Sequence, residues 1–112
     1  MINYQFSSKD QTLILTFQVD VKSSTVEDLK EKIDRAIEEA DSQPQNLKIL
    51  LLDFREIHLI DSMGLNLLVS LIKRFKKRSA IVKAKVKTRA LYQIFLATRM
   101  DKQMVLSFEP DN

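Results

Sequence analysis

One glycine in 112 residues, Gly64, sets the tightest limit on what this chain can fold into. Glycine enters left-handed turns and permits close backbone contact at little steric cost, so a chain almost without it must turn by other means. Glycine-rich phosphate loops and dinucleotide fingerprints are excluded, because each needs two or more glycines at fixed spacing. The one that is kept lies in Leu59-Ile60-Asp61-Ser62-Met63-Gly64-Leu65-Asn66-Leu67-Leu68. There an apolar strand end meets Asp-Ser, and a helical pattern starts at once. The placement predicts a close backbone approach at residue 64. Asp61 or Ser62 can cap the helix, and the N–H groups beside Ser62 make a local anion site. A hydroxyl at the mouth of such a site suits a phosphate switch. The plainer reading of Ser62 is a helix cap, worth on the order of 1 kcal/mol.

The length, with 45% apolar and 29% charged residues, fits a single globular domain over residues 1–112. No apolar run approaches the roughly 20 residues that span a bilayer, and Met1-Ile2-Asn3-Tyr4 lacks a signal-peptide pattern. The absence of cysteine removes disulfides, thiolate metal sites and thiol nucleophiles. A cytoplasmic location is the default expectation. The net charge of +3 conceals an asymmetry: residues 1–72 carry 12 acids and 7 bases, residues 73–112 carry 11 bases and 3 acids. Most of those bases form one stretch, Lys73, Arg74, Lys76, Lys77, Arg78, Lys83, Lys85, Lys87 and Arg89. Such a stretch can attract nucleic acid, anionic lipid or an acidic protein, or can simply keep a helix end and a strand face soluble.

Residues 2–7 and 12–19 read as two strands joined by the turn Ser7-Ser8-Lys9-Asp10, with Leu13, Leu15, Phe17 and Val19 on one face. Ser24 and Glu27 form a capping-box pattern before a helix whose apolar stripe is Val26, Leu29, Ile33, Ala36, Ile37 and Ala40. Ser42-Gln43-Pro44 ends it. Ile49-Leu50-Leu51-Leu52 suits a central strand buried on both faces. In the second helix Leu65, Leu68, Val69, Ile72 and Phe75 form the expected buried stripe. Residues 80–87 alternate as a strand with one wet face, a third helix covers about 88–100 with Ala90, Leu91, Ile94, Phe95 and Ala97, and a last strand lies near 103–108. The order ββαβαβαβ predicts an α/β domain, a small mixed β-sheet with helices packed on it.

Catalytic chemistry finds little support. His58 is the only histidine, and a hydrolase elbow would need glycine two residues before Ser62, where Ile60 stands. The acids are scattered, without metal-ligand spacing. The expectation is a protein that is not an enzyme, with no cofactor, no metal and no small-molecule substrate.

Asp61-Ser62-Met63-Gly64-Leu65 after an apolar strand resembles the D-S-x-G-L signature of STAS domains, and more narrowly that of bacterial anti-sigma factor antagonists. The resemblance extends to the N-terminal strand pair, Asp20 before the first helix, and the Leu50-Leu51-Leu52-Asp53 strand. It implies a STAS-type fold in which Ser62 is the phosphorylation site. It further implies a partner-switching cycle: the unphosphorylated protein binds an anti-sigma factor that is a GHKL-type serine kinase, phosphorylation releases it, and a PP2C-like phosphatase resets the serine. Asp20, Asp61, Ser62, Met63, Gly64 and Asn66 are the partner-binding residues this would imply. The chain departs from the family pattern at Gln18, Met63, Lys76-Lys77-Arg78-Ser79 and Thr98-Arg99-Met100, where glycine or small residues are usual. Met63 is either an apolar anchor for the partner or a core-facing side chain. Two alternatives stand beside this reading. One is a STAS scaffold without a phosphate cycle, in secretion or lipid-transport control. The other is a basic adaptor for nucleic acid or membrane, centred on Lys83, Lys85 and Lys87; the lack of interleaved aromatics argues against it.

Overall fold

The computed structural model describes residues 1–110. Its five strands are β1 Ile2–Ser7, β2 Thr12–Phe17, β3 Ile49–Asp53, β4 Ile81–Val86 and β5 Val105–Phe108, paired in that order in one sheet. β1 is antiparallel to β2, and β2 through β5 run parallel. The helices α1 Val26–Asp41, α2 Ser62–Lys76 and α3 Arg89–Ala97 fill the three crossovers, and a 3-10 turn, Met100–Lys102, precedes β5. The expected order is therefore the observed one. Because the strands follow one another across the sheet, and parallel crossovers are right-handed, all three helices fall on the same face.

That face is the core. Its register aligns Leu13, Leu50 and Val82 in one row and Leu15, Leu52, Ala84 and Leu106 in the next. Leu29, Ile33, Ala36 and Ile37 of α1, Leu68, Leu71, Ile72 and Phe75 of α2, and Leu91 and Phe95 of α3 are buried against it. Phe54 links the layers, with its ring 4.7 Å from Phe17 and 5.8 Å from Phe95.

The opposite face carries no helix. Ile14, Ile49 and Leu51 are only half-buried there, and Ile81 and Val105 are exposed beside Lys83. The expectation that Ile49–Leu52 is covered on both sides is thus corrected: a run of four aliphatics does not reveal that alternate members face solvent. Other boundaries shift for local reasons. β2 stops at Phe17, since the chain leaves the sheet before Val19. The Ser24–Glu27 capping box does not form. Thr25 is the N-cap of α1 without a side-chain cap bond; its hydroxyl accepts from the Lys22 N–H at 3.1 Å and donates to the Asp20 carbonyl at 2.7 Å. In α2 the buried stripe is rotated toward Gly64, Leu67 and Leu71, leaving Leu65 and Val69 half-buried. In α3 Ala90 and Ala97 are exposed, and the helix ends at Ala97, not near residue 100. β5 begins at Val105, after the 3-10 turn.

Scarcity of glycine leaves a trace in the backbone. Gln11, Ser79 and Arg99 adopt left-handed conformations at φ 52°, 57° and 59°. Ser79 follows α2 and Arg99 follows α3, each within a segment where the STAS pattern usually has glycine. A side-chain-bearing residue there costs roughly 1–2 kcal/mol, against about 0.5–1 kcal/mol of extra unfolded-state freedom for glycine. Ser79→Gly is therefore expected to raise stability by about 0.5–1 kcal/mol in urea unfolding, and a loss of stability would contradict this account of the turn.

Candidate functional site

Two loops leaving neighbouring parallel strands meet above the sheet: residues 18–25 after β2 and residues 54–61 after β3. Val21 pairs with Ile60 in a single parallel bridge. The Val21 N–H donates to the Leu59 carbonyl, and the Asp61 N–H donates to the Val21 carbonyl, both at 3.2 Å. The Asp20 carboxylate adds a second clasp, with Oδ1 accepting from the His58 N–H at 2.9 Å and the Leu59 N–H at 3.2 Å. Asp61 then supplies a third. Its Oδ2 accepts from the Ser23 N–H at 2.9 Å, while Oδ1 accepts from the Gly64 N–H at 2.9 Å and caps α2.

Gly64 makes this junction possible. A β-carbon at residue 64 would lie 2.1 Å from the Val21 carbonyl oxygen and 2.9 Å from the Ile60 side chain. Its φ is not positive. The requirement is therefore space for a crossing backbone, as the sequence suggested, and not an unusual turn.

The choice between Asp61 and Ser62 as cap is settled by these bonds. Asp61 takes the N-cap, and Ser62 becomes the first residue of α2, exposed to solvent. The N–H groups of Gly64 first, then Ser23, hold the Asp61 carboxyl below its ordinary value. An anionic side chain thus already fills the electropositive helix end. A second anion on Ser62 would stand beside it.

Two of the residues nearest Ser62 in the chain expose apolar side chains. Met63 is 51% exposed and Leu59 is 44% exposed. Met63 is therefore not a core-facing side chain. Asn66, one turn along α2, is also exposed. The other residues implied for partner binding are placed differently. Gly64 is buried against Val21, and Asp20 is half-buried, its Oδ1 accepting from the 58–59 backbone. Both act on the surface by positioning it. Sequence reasoning passed over Ser23, Thr25 and Leu59. Nothing in the sequence marks a one-residue bridge between Val21 and Ile60, and Leu59 looks like an ordinary strand residue.

The basic stretch does not form one patch. Arg74 pairs with Asp34 at 2.8 Å and Arg78 with Asp41 at 2.5 Å, on the helix layer. Lys83 and Lys85 project from β4 onto the open sheet face, and Lys85 lies 3.9 Å from Glu109. One contiguous sequence is thus divided between opposite sides of the molecule. Among the described residues no cluster of three or more His, Asp or Glu side chains could hold a metal ion. None of the described helices is long and apolar enough to cross a membrane.

A model of the STAS domain family matches residues 3–106, and the chain belongs to that family. Among curated proteins, none matches it. An anti-sigma factor antagonist from Mycobacterium paratuberculosis superposes with a TM-score of 0.73 at 20% identity, over 96% of this chain and 86% of that one. The anti-sigma factor antagonist SpoIIAA, solved in its unphosphorylated form, gives 0.73 at 13% identity, over 96% and 88%. A sulfate transporter family protein from Wolinella succinogenes gives 0.69 at 16% identity, over 89% and 78%. These likenesses establish a shared fold.

The tightest packing at the site yields a direct test. Gly64→Ala must separate α2 from Val21, so it should lower stability by at least about 1–3 kcal/mol and speed amide exchange at Ser23 and Gly64. Unchanged urea midpoint and exchange rates would show that the junction does not depend on this contact.

Proposed function

We propose that this STAS domain is an anti-sigma factor antagonist: a protein-binding module whose partner docks on the start of α2 and is released when Ser62 is phosphorylated. The observation that carries this reading is the placement of Ser62. Its hydroxyl is exposed at the first position of α2, beside the exposed apolar side chains of Met63 and Leu59 and next to the ionised Asp61. Met63 and Leu59 supply the kind of apolar anchor that dominates interface energetics, with Asn66 on the rim. A phosphate adds about −1.5 to −2 charges and three acceptor oxygens to that surface.

The charge would act in place. Because Asp61 already takes the Gly64 and Ser23 N–H groups, a phosphate on Ser62 meets a like charge and turns outward, toward the partner. Burying it under an apolar contact costs far more than the contact returns. The clasped junction beneath holds the fold, so the switch is a blocked interface and not a refolded domain. The partner this implies is an anti-sigma factor of the GHKL-type serine kinase class, which both binds the serine and transfers phosphate to it from ATP. A PP2C-like phosphatase would return the serine to its free state. The module itself performs no chemistry in this cycle.

The likeness to a sulfate transporter family protein supports a second reading, a STAS scaffold that docks through the same Met63 and Leu59 surface without a phosphate cycle. Calorimetric titration against the kinase separates the two. Under the switch, Ser62→Ala binds like wild type and Ser62→Asp loses at least about tenfold in affinity, or roughly 1.4 kcal/mol. Equal affinity of Ser62→Asp and wild type would sink the blocked-interface account and leave the scaffold.

A further inference from the structure

Strands β2 to β5 run parallel, and parallel sheets occur almost only with both faces covered, yet here all three helices lie on one side. We propose that a second copy of this chain covers the bare face. The two copies pack sheet on sheet about a two-fold axis, and Asp10 of each pairs with Lys83 of the other. The proposal is independent of the Ser62 switch.

The strand register shows what the bare face offers. Ile14, Leu51, Lys83 and Val105 form one row, and Thr12, Ile49 and Ile81 form the row beside it. Val105 at 56% is the most exposed large apolar side chain among the described residues, and Ile81 is 51% exposed. Five aliphatic side chains thus adjoin across four strands, where a wet sheet face would alternate with polar residues. The third row, Thr16, Asp53, Lys85 and Ser107, is polar and lies at the C-terminal ends of the strands. That is the end nearest the Ser62 junction, so a contact on the apolar rows leaves the junction clear.

Charge selects the occupant. Of the three charged residues in these rows, Asp53 pairs with Arg55 at 2.8 Å and Lys85 lies 3.9 Å from Glu109. Among the described residues, no carboxylate pairs with Lys83 and no base pairs with Asp10, in the turn before β2. Both line one shallow depression of about 430 Å3, together with Ile14, Ile49 and Leu51. The apolar surface therefore has one free cation on one side and one free anion on the other, which makes it complementary to itself. A two-fold axis between the sheets, perpendicular to the Asp10–Lys83 line at its midpoint, sets each Asp10 against the other copy's Lys83. The same rotation lays the aliphatic rows on each other, as in sheets packed about 10 Å apart.

Other occupants fit less well. Nucleic acid and anionic membranes are held by several uncompensated bases, and this face has one, offset by Asp10. Size sets the strength of the contact. Five strands about 4.8 Å apart and about 20 Å long give roughly 500 Å2 of sheet per copy, at the small end for a specific interface. The dimer is accordingly a weak one, formed in the high-micromolar range.

Sedimentation velocity and backbone amide NMR of the full chain, from micromolar to millimolar concentration, test this. The expected result is a mass that rises toward the dimer, with concentration-dependent shifts at Ile14, Ile49, Leu51, Ile81 and Val105. Asp10→Lys and Lys83→Asp, each with its spectrum otherwise intact, should separately weaken self-association at least about tenfold, because like charges then face each other. Mixed in equal amounts, the two variants should associate as tightly as wild type, since each carries the charge that the other lacks. A monomer at every concentration, shifts confined to the helix layer, or a mixture no tighter than its components would overturn the dimer. Phosphatidylglycerol vesicles that shift the same residues in a protein that stays monomeric would assign the face to a membrane, and would overturn it equally.

Discussion

The carbonyl oxygen of Val21 occupies space that a β-carbon on residue 64 would need, and much of the site depends on that contact. It lets α2 start directly over the loop from β2, so one residue on that loop, Val21, can donate to the Leu59 carbonyl and accept from the Asp61 N–H on either side of Ile60. Once the loops touch, Asp20 and Asp61 can reach across and accept backbone N–H groups from the opposite segment. Two carboxylates and one bridge thereby fix the register of two loops that share no strand. Ser62 inherits a defined position without contributing to it. A residue with no structural duty is one that can be modified without loss of the fold.

Under the proposed function, this division of labour lets the same short signature serve both structure and partner binding. Asp61 and Gly64 build the platform; Ser62, Met63 and Asn66 face outward from it. Occupation of the helix end by Asp61 also decides the sense of any charge added at Ser62. Were the end open, a phosphate could settle onto the helix N–H groups and be tolerated. In the proposed switch, with Asp61 in place, the added charge would be directed into the docking surface.

Much of this was legible in the sequence. Element order followed from periodicity, because alternating and 3.6-residue patterns are clear in β4 and α1. The close approach at Gly64 followed from its isolation in an otherwise glycine-free chain. What stayed hidden has definite physical causes. Ile49–Leu52 hides its open side because aliphatic side chains occur on both half-buried and buried faces. The basic stretch reads as one patch in sequence, yet α2 and β4 point its members to opposite sides. Asp20 reads as a surface acid, while its hydrogen bonds to residues 58 and 59 span 38 and 39 positions that no local pattern connects. The left-handed Ser79 and Arg99 break the usual preference for glycine, so their conformations carry no signal in the sequence.

The central claim is that Ser62 is a phosphate acceptor presented on a preformed surface. Intact mass spectrometry after incubation with ATP and the serine kinase encoded nearest to this protein addresses it most directly. The account predicts a gain of one phosphate that disappears in Ser62→Ala. Tight binding to that kinase with no phosphate gained, or a phosphate that persists in Ser62→Ala, would contradict it.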